Sequence, residues 1–322
     1  MRITLWDDAL EASREKIRSE AREFMKGLPD RDPGTVSPVE RAQAMRKGDE
    51  ALVFRSDKAV ERIIDGPGGP LTLREFRPER ARGVLLHFHG GGWLTGQPAI
   101  MDPLHEALSN ELDLAIVSVD YRFSPEHPFP AGPDDCEAAA RWLVEEAARE
   151  FGTDRLLIGG ESAGAHLSAL TLLRLRDRYG LTGRFCGVEL TFGCFDLSAT
   201  PSATGVGTSD DLDVLSRARM AFFVEQLTPG WTTDERRSPE LSPLYAELGG
   251  MPPALFVVGT ADHFVDDTLF FAQRWALAGN DAELLVYPDA PHACIGVPTV
   301  LAHWWPRRQA FLDRCLAGSP TI

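Results

Sequence analysis

Hydrophobic positions follow two rhythms along the chain. In the first, Trp6, Leu10, Ile17, Ala21, Phe24 and Leu28 recur among charges, which predicts one amphipathic helix over residues 6–28. A loop rich in Pro and Asp follows (28-LPDRDPGTVSP-38). A second helix is expected over 38–53, with Ser37-Pro38 as cap and first turn. The second rhythm begins with VERIID (60–65) and LTLREFR (71–77), which alternate around 66-GPGGP-70 as a hairpin would. Short apolar runs come next: VLLHFH (84–89), LAIVSVD (114–120), RLLIGG (155–160), CGVELT (186–191), ALFVVG (254–259) and ELLVY (283–287). Helical patterns lie between most of them, near 98–112, 132–151, 163–178 and 266–279, with a last one near 299–316. Continuous apolar strands alternating with helices imply a mostly parallel sheet covered on both faces.

One segment breaks this order. Residues 191–254 are partly loop-like (196-DLSATPSATGVGTSDD-211) and hold a helical run with Phe222, Phe223, Val224 and Leu227. A loop this long inside a compact domain is usually functional, often as a lid.

Composition narrows the class. A chain of 322 residues is two domains, or one large α/β domain with additions. A net charge of -15 disfavours nucleic acid and anionic membrane as partners. The charged N-terminus has no apolar h-region, so it does not read as a signal peptide, and no apolar run reaches the length of a membrane span. The cysteines (136, 186, 194, 294 and 315) are odd in number and lack C-x-x-C spacing, against both a disulfide framework and a zinc site. The expectation is a reduced, cytoplasmic protein without metal or cofactor.

The chemistry lies at strand ends. RLLIGG runs into 160-GESAG-164 and then a helix, which is G-x-S-x-G in the strand–turn–helix setting that exposes a nucleophilic serine, Ser162. Ala163 opens the helix, and its N–H faces the same spot. A second glycine cluster, in 83-GVLLHFHGGGWLTG-96, follows an earlier strand. Acyl transfer puts negative charge on a carbonyl oxygen, and backbone N–H donors must approach it to about 3 Å. Glycines permit that approach. A serine hydroxyl also needs a base oriented by an acid, in the chain order Ser, Asp or Glu, His. His292 stands in the loop after ELLVY; His166 and His303 fall within helices and read as structural. Asp262, Asp266 and Asp267 all follow ALFVVG and are candidate acids. Asp262 is nearest the strand end. Asp266 is expected in the first turn of the next helix, within reach of the loop that carries His292.

Taken together, HGGGW (89–93), VDYRFSPEHPFPA (119–131), GESAG (160–164), SPL (242–244), GTADHFVDD (259–267) and YPDAPH (287–292) resemble the hormone-sensitive lipase family of α/β-hydrolases, its bacterial esterases in particular. The resemblance covers roughly residues 55–316. It implies the α/β-hydrolase fold: a mostly parallel eight-stranded sheet flanked by helices, with a helical cap. Residues 1–54 would be N-terminal cap helices, 55–195 and 251–322 the core, and 196–250 a cap insertion. Ser162 would be nucleophile, His292 base and Asp262 orienting acid. Gly91, Gly92 and Ala163 would donate the oxyanion hydrogen bonds, and His89 would brace the glycine loop. The implied substrate is a small-molecule ester with short-to-medium acyl groups, processed without cofactor or metal. A homodimer is implied by the resemblance alone. Glu161, Ala165-His166, His263-Phe264 and Ala293-Cys294 depart from the family pattern and bear on the pocket walls. An amidase or acyltransferase could use the same triad. A non-catalytic receptor would be expected to lack the base, and here His292 is present with an acid upstream.

Overall fold

The computed structural model describes residues 5–28, 36–51, 53–205, 212 and 215–318. Within them one sheet of eight strands forms: β1 (Val60–Gly66), β2 (Gly69–Phe76), β3 (Gly83–Phe88), β4 (Leu114–Val119), β5 (Leu156–Glu161), β6 (Phe185–Thr191), β7 (Ala254–Gly259) and β8 (Ala282–Tyr287). Their order across the sheet is β1-β2-β4-β3-β5-β6-β7-β8. The expected β1–β2 hairpin is antiparallel, as is the β2–β4 pair, and every other pair is parallel. The α/β-hydrolase fold and its mostly parallel eight-stranded sheet are thus present.

The apolar runs are explained by burial on both faces. Every residue of β3, β4, β5 and β7 is buried. One face packs Leu86, Phe88, Ile158 and Leu190 under α5 (Ala131–Phe151), α6 (Ala163–Tyr179) and α8 (Val265–Leu277). The other packs Leu85, Ile116, Leu157 and Leu255 under α4 (Asp102–Leu112) and α9 (Pro298–Ala317). At roughly 25 cal/mol per Å² of apolar surface, these two layers supply the main driving force for folding. A bidentate pair, Arg308 to Glu189 at 2.8 and 2.9 Å, ties α9 to β6 inside the second layer.

The N-terminal helix departs from expectation. It is two helices, α1 (Asp8–Ala12) and α2 (Arg14–Lys26), joined through Ser13 at φ -91°, ψ -4°, whose N–H is shared between the Ala9 and Leu10 carbonyls at 3.2 and 3.1 Å. Its hydroxyl donates back to the Ala9 carbonyl at 2.9 Å, the competition a serine offers a helix interior. The helix α3 (Pro38–Glu50) starts as expected. Ser37 and Glu40 form a reciprocal capping box ahead of the Pro38 first turn. In the 196–250 segment one α-helix forms among the described residues, α7 (Arg217–Leu227), with Phe223 and Leu227 buried. Parts of both expected loops, residues 29–35 and 206–211, lie outside the described residues.

Topology places the site. The chain runs from β3 outward to β4, then returns to β5 on β3's other side. Phe88 of β3 therefore lies beside Gly160 of β5, and the loops that leave these two strands meet at the carboxyl edge where strand order reverses.

Candidate active site

Ser162 sits between β5 and α6 at φ 56°, ψ -118°, a conformation rare for a residue with a side chain. Its N–H donates to the Thr191 carbonyl at 2.9 Å, which pins the turn to the end of β6. The flanking glycines are dictated by space. A Cβ on Gly160 would stand 2.1 Å from the Phe88 carbonyl oxygen, and one on Gly164 1.8 Å from the same atom. The elbow can therefore lie against the end of β3 only with glycine at both positions.

Three side chains from three strand ends line up. His292 Nε2 lies 3.0 Å from Ser162 Oγ, and His292 Nδ1 lies 2.9 Å from Asp262 Oδ2. A carboxylate only accepts, so the Nδ1–H donates to Asp262 and Nε2 is left as acceptor for the serine proton. Asp262 is fully buried, and its other oxygen accepts the Phe264 N–H at 2.8 Å. The rings of Phe192 and Phe264 stand edge-on to His292, centroids 5.0 and 5.4 Å away. The imidazole is thus held by the hydrogen bond to Asp262 and two aromatic walls.

The other two acid candidates go elsewhere. Asp267 is buried and accepts from the N–H groups of Phe195 (2.7 Å) and Asp196 (2.8 Å) and the Thr200 hydroxyl (2.5 Å); burial nevertheless pushes its pKa up to about 7. Asp266 is in the first turn of α8, as expected, but it does not hold the His292 loop. It accepts the Ser202 N–H at 2.9 Å, so it ties α8 to the 196–250 segment.

The glycine loop rides on the elbow. A Cβ on Gly90 would come within 3.0 Å of the Glu161 carbonyl oxygen. Gly91 (φ 126°) closes a turn whose carbonyl accepts from Leu94 and Thr95 N–H at 3.2 and 3.0 Å. Among the described residues the N–H groups of Gly91 and Gly92 donate to no acceptor, and Ala163 N–H is a first-turn helix donor. All three residues line the same cavity as Ser162. His89 stacks on Tyr121, ring centroids 4.4 Å apart, and its Nδ1–H donates to the Gly90 carbonyl at 2.8 Å. Burial lowers its pKa to about 4, so the ring is neutral.

The departures from the family pattern have partners. Glu161 accepts from His87 Nε2 at 2.9 Å. Burial would raise this carboxyl, but His87 and Arg308 outweigh it and hold it below the usual range. His166 accepts the Trp93 indole N–H at 3.1 Å and donates Nε2–H to the Leu241 carbonyl at 2.7 Å. It joins glycine loop, elbow helix and insertion. His303 is remote, stacked edge-on against Tyr287.

Above Ser162 lies a cavity of about 670 Å³. The N-terminal helices contribute Phe24 and Met25, and the 196–250 segment contributes Leu215, Met220, Phe223 and Val224. A Cβ on Gly92 would meet the Phe223 ring at 2.2 Å, so α7 sits directly on the glycine loop. Among the described residues no group of three or more His, Cys, Asp or Glu side chains is placed to hold a metal ion, and no helix is long and apolar enough to cross a membrane.

With fold and site in view, comparison with known proteins is direct. The chain belongs to the alpha/beta hydrolase fold family, whose model matches residues 85–296, and within it to the hormone-sensitive-lipase-like carboxylesterases. It is an ester hydrolase. It is 37% identical to the carboxylesterase NlhH of Mycobacterium tuberculosis, over 72% of this chain and 71% of that one. It is 33% identical to the carboxylic ester hydrolase LipN of the same organism, over 73% of this chain and 63% of LipN's own length. Among solved structures, a bacterial heroin esterase superposes with a TM-score of 0.82 at 25% identity, over 94% of this chain and 99% of that one.

Proposed function

We propose that this chain hydrolyses apolar carboxylic esters through a covalent acyl-enzyme on Ser162. The observation that carries the reading is the hydrogen-bonded row Ser162–His292–Asp262, set beside N–H groups with no acceptor in the glycine loop. As the Ser162 oxygen attacks the ester carbon, its proton passes to His292 Nε2. The imidazolium that forms is stabilised by Asp262 through Nδ1–H. The former carbonyl oxygen takes up the electron pair, and Gly91, Gly92 and Ala163 N–H groups stabilise it. His292 then gives its proton to the leaving alkoxide, and the alcohol departs. Water repeats the sequence on the acyl-enzyme: His292 takes its proton, the hydroxyl adds to the acyl carbon, and the carboxylic acid leaves as Ser162 is reprotonated.

The cap expected over residues 1–54 and 196–250 is represented in this reading by the described helices α1, α2, α3 and α7 and the side chains around them. They bring apolar side chains over the serine, which excludes water and favours short-to-medium apolar acyl and alkyl groups. The size and lining of the cavity support that range. The names of NlhH and LipN support carboxylic esters as the substrate class.

The test joins chemistry to turnover. An alkyl phosphonate ester should label the purified chain once, on Ser162, and abolish hydrolysis of p-nitrophenyl butyrate. Ser162→Ala should lower kcat roughly a million-fold with the fold intact. Wild-type turnover by that variant, or labelling at another residue, overturns the assignment.

A further inference from the structure

We infer that Arg46, on the N-terminal helix α3, is a positioning residue for the oxyanion loop, holding the aim of the Gly91 and Gly92 N–H groups from outside the hydrolase core. The inference rests on the serine-hydrolase reading above.

Within the loop, Leu94 and Thr95 brace only the Gly91 carbonyl, through their N–H groups and the Thr95 hydroxyl. Residues 90–92 carry no side chains, and two of them have positive φ. Two anchors come from the core: His89 under Gly90, and Trp93 on His166. Both act at or before residue 93. The outgoing limb is held by Arg46, whose Nε–H donates to the Leu94 carbonyl at 2.6 Å. Its Nη2–H donates to the Ser124 carbonyl at 2.9 Å, and Ser124 N–H in turn donates to the Trp93 carbonyl at 3.0 Å. One guanidinium thus laces the glycine loop to the 119–131 segment. Glu126 fixes the guanidinium in that plane, accepting from Nη1 and Nη2 at 2.8 Å each. The carboxyl of Glu126 is held below its usual range, first by this hydrogen bond. In all, Arg46 commits four of the five donors of an arginine.

A residue that only docked the helix would not need this geometry. The part-exposed ion pair with Glu126 is worth little as an anchor. The helix is already docked by Ala42 and Met45 in the core. Of the two donors spent on main-chain carbonyls, one acts on the loop at Leu94 and the other on Ser124, whose N–H holds the Trp93 carbonyl. Lysine cannot reproduce them, because its ammonium lacks the planar fork. The N–H groups of Gly91 and Gly92 are useful only if fixed before the oxyanion forms. Misplacement of a reacting geometry by about 1 Å costs on the order of a hundredfold in rate. Arg46 itself does not line the cavity that takes the ester, so its loss should act through the aim of the loop rather than through the cavity walls.

The test uses the full chain with Arg46→Ala, Arg46→Lys and Glu126→Gln, assayed on p-nitrophenyl butyrate and on an alkyl trifluoromethyl ketone. In the ketone adduct the Ser162 oxygen bonds to the ketone carbon, the serine proton passes to His292, and the ketone oxygen becomes an oxyanion. Arg46→Ala should lose roughly ten- to a hundredfold in kcat with KM nearly unchanged. Its affinity for the trifluoromethyl ketone should weaken by the same factor. Arg46→Lys should show the same split, Glu126→Gln a smaller one. Millimolar guanidinium should restore part of the kcat lost in Arg46→Ala. A folded Arg46→Ala with wild-type kcat and ketone affinity overturns the inference and leaves the ester-hydrolase reading standing. If Arg46→Ala does not fold, Arg46→Lys decides by the same criteria. A wild-type chain that neither turns over ester nor is labelled at Ser162 overturns both.

Discussion

The two halves of the site are built on opposite plans. Around Ser162 and the glycine loop the working parts are backbone, packed so closely that a single added carbon would collide with the Phe88 carbonyl. Around Asp262 and His292 the working parts are side chains on loops, walled by Phe192 and Phe264 and oriented by hydrogen bonds. The first half should fail when volume is added. The second should fail when a proton is misplaced, even at constant volume.

Asp262→Asn puts the sharpest strain on that contrast. The amide keeps the size of the carboxylate but can present N–H to His292 Nδ1, which favours the tautomer with its proton on Nε2, facing the serine. Turnover should fall about ten-thousandfold, with a melting temperature close to wild type. A loss of less than a hundredfold, measured on the same ester, would mean that Asp262 does not orient the base.

Gly164→Ala attacks the backbone half. The new carbon would lie 1.8 Å from the Phe88 oxygen and 2.6 Å from its carbonyl carbon. Both atoms belong to a central strand that is paired on both sides. No flexible group can yield, so α6 has to move away from β3. The expected cost is on the order of 3 kcal/mol of stability, read as a lowered urea midpoint. A variant with wild-type midpoint and activity would show that the elbow has slack that the geometry denies.

The backbone half should also be the more acid-sensitive in stability. His89 and His166 are fully buried there, and burial lowers both to about 4. Between the ordinary value of 6.5 and about 4 the unfolded chain takes up protons that the folded chain does not. Their contribution is therefore complete above pH 6.5 and is lost as pH falls towards 4, on the order of 3 kcal/mol for each group. Asp267 works in the opposite sense, since its pKa is raised from 3.8 to about 7 and the folded chain holds that proton more tightly. Comparing wild type with His166→Asn cancels the Asp267 part. Asn can still accept from Trp93 in the place of Nδ1 but does not reach the Leu241 carbonyl, so the variant should fold at a cost that does not vary with pH and lose less stability between pH 7 and pH 5. Parallel stability–pH curves would remove His166 from the account.

The same division decides what was legible in the sequence. The glycine clusters, the strands and the elbow serine were readable because their requirements are local: a turn, a close approach, a run of apolar residues. His292, the proposed base, could be singled out from its place after β8. For the acid, position offered three aspartates and favoured Asp262 as nearest the strand end, and the family resemblance pointed to the same residue. The break at Ser13 was hidden by an apolar spacing that continues through it. Arg46, His166 and Ser202 gave no signal as partners of the site, because the groups they hold lie 48, 75 and 64 positions away along the chain. Side chains that act at such range have no periodicity to betray them.

Asp266 offers the mildest test, and it lies where the two plans meet. The preceding cap position of α8, Phe264, gives the helix no side-chain cap. Ser202 supplies one from the insertion: Asp266 N–H donates to Ser202 Oγ at 3.1 Å, while Asp266 Oδ2 accepts Ser202 N–H at 2.9 Å. The Ser202 hydroxyl itself donates to the His263 carbonyl at 2.7 Å. This is the reciprocal logic of a capping box, divided between two distant segments. It fastens the insertion to the helix that follows the Asp262 loop. Asp266→Asn keeps an acceptor but removes the charge from the first turn of α8, where the helix dipole favours a carboxylate. The expected loss is about 1 kcal/mol, with kcat within a few-fold of wild type because Asp266 touches neither His292 nor Asp262. Ser202→Ala should cost a similar amount, and the double variant less than the sum, since both single changes open the same reciprocal pair. Additive losses would mean that the two residues act separately. A fall in kcat larger than that of Asp262→Asn would mean that the acid role belongs to Asp266.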